Sequence, residues 1–323
     1  MPTAQQAQAR LAEIPGLALS ARFPLARCTR FAIGGEADLY AEAGSADALA
    51  AALTAARDSS IDIAVIGDGT NLVVSDDGFR GLALRYRAGR IACAGNSVSA
   101  DAGASLDALV DFTVERGLEG LETLAGIPGS VGGAVYGNAG AYGHSISERI
   151  ASIRFFDGSQ VRTLDNSDCR FRYRESVFKS HKQWVILAAE LRLDPADKAA
   201  LRRIAGGIVE ARNRKFPPTL QCAGSIFKNL LLPDLPAGAA AQVPASTVRE
   251  GKVPAAWFLD VVGAKGAQRG GIRVADYHAN LIYNADGGSA ADLCALIGEL
   301  KARVLERFGL ELEEEVQYVG RFA

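Results

Sequence analysis

The sequence predicts an α/β protein assembled from small helix-and-strand units, and three observations predict it. A capped helical stripe near 45–58 leads into a short apolar strand, a second strand leads into a second capped helix at 97–117, and longer apolar runs follow at 150–192. Glycine-rich turns follow the first strand and the second helix, and neither has the spacing of a Rossmann dinucleotide turn.

Taken in order, Ser45 can cap a helix in which Leu49, Ala52, Leu53 and Ala56 share a face, and Ile61 to Ile66 reads as a buried strand. The turn Gly67-Asp68-Gly69-Thr70-Asn71-Leu72 begins like a G-x-G fingerprint, but the third glycine is missing and LVVSDDGF reads as strand and turn. Such a turn can offer N–H groups and short side chains to a pyrophosphate, although a G-D-G turn is more often only a turn. VSADAG is the next strand, and Ser105-Leu106-Asp107 opens a helix expected to run through Arg116 and stop at Gly117. IASIRFFDG, QVRTL and WVILAAELRL read as strands, and a helix from about Ala196 to Arg214 ends before Pro217-Pro218, a domain boundary. PDLPAGAAAQVP is expected to loop on the surface. If LELEEEVQYVG is a strand, Leu310, Leu312, Glu314, Val316 and Tyr318 share one face and Glu311, Glu313 and Glu315 the other.

The second turn, AGIPGSVGGAVYGNAGAYG, carries glycine at 126, 129, 132, 133, 137, 140 and 143. Glycine is costly in backbone entropy, so such density needs positive φ or a close approach to the backbone. A helix-packing seam is disfavoured by Pro128 and the glycines themselves, and a flexible linker by Ile127, Val131, Val135 and Tyr136. Two readings stay open: a tight structural loop, or a loop whose main chain meets phosphate or a flat ring.

Composition narrows the function classes. The 323 residues suffice for two or three domains, and 49% hydrophobic with 22% charged residues is ordinary globular usage. A net charge of −2 supplies no electrostatic footprint for nucleic acid. No apolar signal core or run of about 18 apolar residues occurs, so a soluble cytoplasmic protein is expected. Cys28, Cys93, Cys169, Cys222 and Cys294 form no CxxC pair, and His144, His181 and His278 are widely spaced, so neither a disulfide framework nor a metal site is expected.

Polar side chains cluster at CAGSIFKN (Ser225, Lys228, Asn229), at YRESVFK (Tyr173, Arg174, Lys179) and at EARNRKFPP (Arg212, Arg214, Lys215). Cations at a helix end favour its dipole, and a turn hydroxyl accounts for Ser225 as readily as a reactive one does. The ordered set FAIGGEADLY, IGDGTNLVVSDDGFRG, LAGIPGSVGGAVYGNAGAYG, FRYRESVFK, GSIFKN, HANLIYN and EEEVQYVG, however, resembles the UDP-N-acetylenolpyruvoylglucosamine reductase family across about Phe31 to Gly320. The resemblance implies a vanillyl-alcohol-oxidase-type FAD-binding fold of two α/β subdomains, 1–86 and 87–217, with a UDP-sugar domain at 218–310 and a C-terminal strand in 311–323 that returns to the first. It implies non-covalent FAD, NADPH as co-substrate, small-molecule substrates and no obligate protein partner.

By the same resemblance, hydride passes from NADPH through FAD to the enolpyruvyl ether of UDP-N-acetylglucosamine, giving UDP-N-acetylmuramate for peptidoglycan. Hydride addition to the terminal alkene carbon builds charge on the carboxylate, which asks for a cation or an acidic donor. Arg174 matches the family's cation and Glu315 its acidic partner, expected in the protonated form that burial favours. Ser225 matches the serine that protonates the other alkene carbon, with Lys228 a candidate support for the departing proton. The cofactor positions implied are Gly67, Asp68, Gly69, Thr70, Asn71, Leu72, Gly126, Ile127, Pro128, Gly129, Ser130, Gly132, Gly133, Asn138 and Gly140. The substrate positions are Lys215, Asn229, Lys265 and His278, with Arg212 and Tyr173 as weaker candidates.

Leu230 stands where the family commonly has proline, and the insert LLPDLPAGAAAQVPASTVREGKVP follows it. The absence of an additional substrate-covering loop between YRESVFK and WVILAAELRL marks the shorter family subtype. Another flavoenzyme on the same fold, or a silent FAD or UDP-sugar binding protein, are the competing classes; retention of Arg174, Ser225 and Glu315 argues against the second.

Overall fold

The computed structural model describes residues 4–322 and divides into two compact units. The first comprises 1–23, 37–68 and 80–215, and the second 24–36, 69–79 and 216–323. Residues 1–86 thus contribute to both units.

In the first unit, helix Ala46–Asp58 starts at Ser45, whose hydroxyl accepts from the Ala48 N–H, and it buries Ala48, Leu49, Ala52, Leu53 and Ala56. This is the stripe the sequence predicts. The strand after it is shorter than expected, Ile63–Ile66, and only Ile66 is buried, because one edge pairs in parallel with Phe79–Tyr86 while Val65 faces solvent. These two strands with Leu17–Pro24 and Glu36–Ala43 form a four-stranded sheet. A five-stranded antiparallel sheet follows in the order Val161–Asp165, Ile150–Phe156, Val185–Arg192, Ser97–Asp101, Ile91–Ala94. Leu49, Leu84, Val98, Leu109, Val131 and Phe155 belong to one continuous core that joins both sheets to their helices.

Helix Leu106–Val114 has the predicted Ser105 cap but ends before Arg116; Gly117, at φ +64, follows two turn residues. Inside the glycine-rich stretch the chain forms a short helix, Val131–Tyr136. The expectation of an unbroken loop is wrong there. Ser130 caps that helix by accepting from the Gly133 N–H, and Val131, Ala134 and Val135 bury its inner face at i, i+3, i+4 spacing, which offsets the poor propensity of two glycines. The long helix Lys198–Lys215 closes the unit just before the predicted proline boundary.

The second unit is built on a four-stranded antiparallel sheet, Cys222–Ser225, His278–Asn284, Ile272–Ala275 and Gln268–Arg269. Helix Ala290–Phe308 packs Leu293, Leu296, Ile297, Leu300, Val304 and Phe308 into its core, between a Ser289/Asp292 capping box and Gly309 at φ +64. The insert after Leu230 is not a plain surface loop: it forms helix Ala237–Ala240, and Ala239 is buried in this core. The C-terminal segment is strand only at Gln317–Val319, which pairs in parallel with Leu72–Val74. Leu310, Leu312 and Val316 alternate into the core as the sequence predicts, whereas Tyr318 is exposed.

Candidate active site

The first glycine turn is shaped largely by the protein itself. Asp68 is ion-paired with Arg85, and a Cβ on Gly67 would lie 2.9 Å from the Ser130 hydroxyl, so the two glycine-rich segments abut within the first unit. Gly69, in the second unit, has φ +67, and a Cβ there would lie 1.5 Å from the Cys28 carbonyl oxygen. Only glycine fits that position whatever binds nearby. Thr70 and Leu72 are half-buried, and the Asn71 carboxamide donates to the Glu315 carbonyl at 2.8 Å.

The second segment is clasped at Gly126. Its N–H donates to Asp107 at 3.0 Å, and its carbonyl accepts from Nε of Arg212 at 3.1 Å. Burial is the main cause that pushes the Asp107 carboxyl upward, and Asp111 adds to it, while the Gly126 bond and Arg212 oppose it. Arg212, a substrate candidate from sequence, is in this structure a loop anchor. The loop then runs along the start of helix Leu106–Val114: Leu106 N–H donates to Gly129 C=O and Val131 N–H to Ala104 C=O, both at 2.8 Å. Gly126, Ile127, Pro128 and Gly129 are half-exposed. Gly132 and Gly140 meet the chain's own atoms, since added Cβ atoms would lie 3.0 Å from Ala102 Cβ and 2.5 Å from the His144 carbonyl oxygen. Gly133 differs. It is exposed, and a Cβ there would touch only the Ser130 hydroxyl, at 3.4 Å.

The YRES turn is latched to the end of this segment. Ser176 Oγ donates to the Tyr136 carbonyl at 2.7 Å, and Asn138 Nδ2 donates to the Arg172 carbonyl at 2.9 Å. Arg174 sits at φ +56, and its guanidinium donates to the carbonyls of Gly140 at 3.1 Å and Asn138 at 3.5 Å. Lys179 Nζ donates to the Arg174 carbonyl at 2.6 Å, and the guanidinium lies 5.4 Å from the Tyr173 ring centroid. The turn from Arg172 to Ser176 is thereby tied to the glycine-rich main chain, and Arg174 is held through both its backbone and its side chain.

In the second unit an isolated antiparallel bridge joins Phe227 to Glu314. Glu315 N–H donates to the Ile226 carbonyl at 2.7 Å and Lys228 N–H to the Glu313 carbonyl at 2.9 Å. The bridge brings GSIFKN and EEEV, 85 positions apart at Lys228 and Glu313, into one scaffold holding Ser225 and Glu315, both half-buried. Lys228 is buried and its ammonium is ion-paired with Glu313. Glu314, passed over for Glu315 on motif position alone, is occupied by Lys301 at 2.8 Å and by the Tyr318 hydroxyl.

The substrate candidates fall in both units, Tyr173, Arg212 and Lys215 in the first and Asn229, Lys265 and His278 in the second. Asn229 is exposed and accepts from Ala255 N–H at 3.3 Å at the start of helix Ala255–Val261, Lys265 pairs with Asp260 at 2.9 Å, and Lys215 is exposed at the end of its helix. His278 is half-buried; its Nδ1 accepts from the Asn280 N–H at 3.2 Å, and its ring lies 5.9 Å from Phe216. Sequence reasoning missed Asp107, Arg85 and Asn280. An asparagine set between apolar neighbours in the strand-like HANLIYN run was the available signal for the last.

A family model described as FAD binding domain matches residues 37–163, and one described as UDP-N-acetylenolpyruvoylglucosamine reductase, C-terminal domain, matches residues 216–319. The chain is 61% identical over 311 residues to the UDP-N-acetylenolpyruvoylglucosamine reductase of Solibacter usitatus, covering 96% of this chain and 100% of that one. The chain belongs to the UDP-N-acetylenolpyruvoylglucosamine reductase family. The Bacillus subtilis member is 36% identical over 301 residues, covering 92% of each chain. The crystal structure of the Thermus caldophilus member superposes with a TM-score of 0.72 at 26% identity, covering 94% of this chain and 98% of that one.

Membership makes the chain an FAD-dependent oxidoreductase of peptidoglycan precursor synthesis with NADPH as co-substrate. The first unit is compatible with such a cofactor: Gly126–Gly129 are half-exposed, and an added Cβ at Gly133 would meet only the Ser130 hydroxyl, so main chain is accessible there. Among the described residues, no cluster of ligating side chains could hold a metal ion and no helix is long and apolar enough to cross a membrane.

Proposed function

We propose that Arg174, Ser225 and Glu315 are the catalytic residues with which this chain reduces the enolpyruvyl ether of UDP-N-acetylglucosamine. FAD, when bound, relays hydride from NADPH to the terminal alkene carbon. The remaining work is proton and charge handling by the protein. The fork of Arg174 suits a carboxylate, and the carbonyls of Asn138 and Gly140 aim it while leaving its charge uncancelled by those bonds. Ser225 Oγ gives its proton to the ether-bearing carbon, completing the addition of hydride and proton across the double bond. Glu315 is the acidic partner of that step. The cofactor would rest on Gly67 to Leu72, Gly126 to Gly133, Asn138 and Gly140, and the nucleotide sugar on Tyr173, Lys215, Asn229, Lys265 and His278. On this reading residues 216–319 serve the UDP-sugar and the enzyme works in the cytoplasm, where both substrates are supplied.

The observation that supports the reading most directly is the Ile226–Glu315 hydrogen bond at 2.7 Å, because it draws the segments of Ser225 and Glu315 together from distant parts of the chain. The test separates two half-reactions. Ser225→Ala is expected to leave NADPH-driven flavin reduction intact and to slow reoxidation by the enolpyruvyl substrate by about 10²-fold or more, as loss of a general acid does. Arg174→Ala is expected to slow the same step by about 2.7 to 4 kcal/mol of lost charge stabilisation. Normal reoxidation and normal solvent-deuterium incorporation in Ser225→Ala would remove Ser225 from the mechanism.

A further inference from the structure

Asn280 lies in the largely buried strand His278–Asn284 and is 2% exposed. A buried carboxamide is costly unless its donor and acceptor are both bonded. Here both go to one residue: Phe227 N–H donates to Oδ1 and Nδ2 donates to the Phe227 carbonyl, each at 2.9 Å. The main-chain carbonyl of Asn280 also accepts from Ile226 N–H, at 3.1 Å.

The side chain therefore acts as a piece of neighbouring strand at a place where regular pairing lapses. Cys222 is opposite Tyr283 and Ser225 opposite Leu281, with a register shift between them, and Gly224 turns at φ +79. On the other edge, Ile226 C=O is bonded to Glu315 N–H and Lys228 N–H to Glu313 C=O. The two residues after Ser225 are gripped from both sides. Asn280 further donates its own N–H to Nδ1 of His278, which leaves the proton of that ring on Nε2.

We propose that Asn280 is a positioning residue for proton delivery: its carboxamide fixes the Ile226-Phe227 backbone, and through it the direction of the Ser225 hydroxyl and the placement of Glu315, without touching substrate. The proposal rests on Ser225 being the proton donor. Asn280→Asp keeps an acceptor for the Phe227 N–H but sets an anionic oxygen against the Phe227 carbonyl, so the two-bond ring opens with almost no change in volume.

A matched control exists in the same strand. Asn284 is 8% exposed, donates to the Phe31 carbonyl at 3.1 Å and accepts from Gly288 N–H at 2.8 Å, away from Ser225. Asn280→Asp, Asn284→Asp and Ser225→Ala are compared as holoenzymes by melting temperature, by the two half-reactions and by the solvent deuterium isotope effect on reoxidation. Both asparagine variants are expected to melt lower. Only Asn280→Asp should slow reoxidation, by about tenfold to a hundredfold, and enlarge the isotope effect, with NADPH-driven reduction within about twofold of the parent. The proposal is overturned if Asn280→Asp reoxidises within about twofold of the parent, or if Asn284→Asp shows the same slowing and isotope effect. Should Asn280→Asp fail to fold with flavin, Asn280→Gln, which displaces both amide poles by one methylene, is held to the same criteria. A slow Ser225→Ala beside a fast Asn280 variant refutes this inference alone; a normal Ser225→Ala refutes the proton-donor assignment on which it rests.

Discussion

Gly133→Ala separates a glycine kept for the fold from one kept for the cofactor. Gly133 lies inside helix Val131–Tyr136, exposed, and an added Cβ would meet only the Ser130 hydroxyl at an ordinary 3.4 Å. Alanine exceeds glycine by about 0.8 to 1.0 kcal/mol within a helix, and over so short a helix about 0.5 to 1 kcal/mol of stabilisation is expected for the flavin-stripped protein. That corresponds to a melting temperature raised by about 1 to 3 °C. If FAD lies against this face, the same methyl must weaken it, and a tenfold rise in Kd is about 1.4 kcal/mol. The two effects have opposite signs, so unfolding of stripped protein and fluorescence titration with FAD together decide the matter. Gly132→Ala is the internal contrast, because its Cβ would press on Ala102 Cβ at 3.0 Å and Ala102 O at 3.1 Å and should cost about 1 to 3 kcal/mol of stability. Destabilisation by Gly133→Ala, or stabilisation with unchanged FAD affinity, would refute the reasoning.

Three further outcomes are expected. Gly69→Ala, with φ +67 and a Cβ 1.5 Å from the Cys28 carbonyl oxygen, should prevent folding of the second unit or destabilise it by more than about 4 kcal/mol, measured by urea unfolding. Purified protein should be yellow, and acid precipitation should release all of its FAD; colour kept in the pellet would mean a covalent link. Asp107 has a carboxyl raised chiefly by burial, so its contribution to stability is present at low pH and lost as pH rises through its folded value. Asp107→Asn, which keeps an acceptor for Gly126, should therefore be more stable than the parent at pH 7, with the gap closing toward pH 4; a gap of constant size across that range contradicts the assigned cause.

Local signals in the sequence carried most of the architecture. Ser45 and Ser105 cap helices because a hydroxyl before an apolar stripe satisfies a first-turn N–H by purely local geometry. The short helix at Val131–Tyr136 escaped notice because its glycines argue against helix, and burial of Val131, Ala134 and Val135 outweighs propensity only once the core exists. The linked motif set selected Ser225 and Glu315, but their shared scaffold depends on the Phe227–Glu314 bridge, which no periodicity announces. Lys228 and Arg212 illustrate the limit from the other side: a cation in a motif says nothing of which carboxylate or carbonyl holds it, and here those are Glu313 and Gly126.

The parallel pairing of Leu72–Val74 with Gln317–Val319 has a consequence for synthesis. Asn71 and its partner Glu315 are 244 positions apart. At translation rates of about 5 to 20 residues per second, the early segments of the second unit wait roughly 12 to 50 s for the residues that complete their strand pairing. Phe31 and Val73, each 0% exposed in the finished core, must spend that interval without the C-terminal helix Ala290–Phe308 to cover them. The first unit's last residue, Lys215, has left the ribosome well before then. Nascent chains stalled before Ala290 would therefore carry a folded first unit and a sticky, protease-sensitive second one.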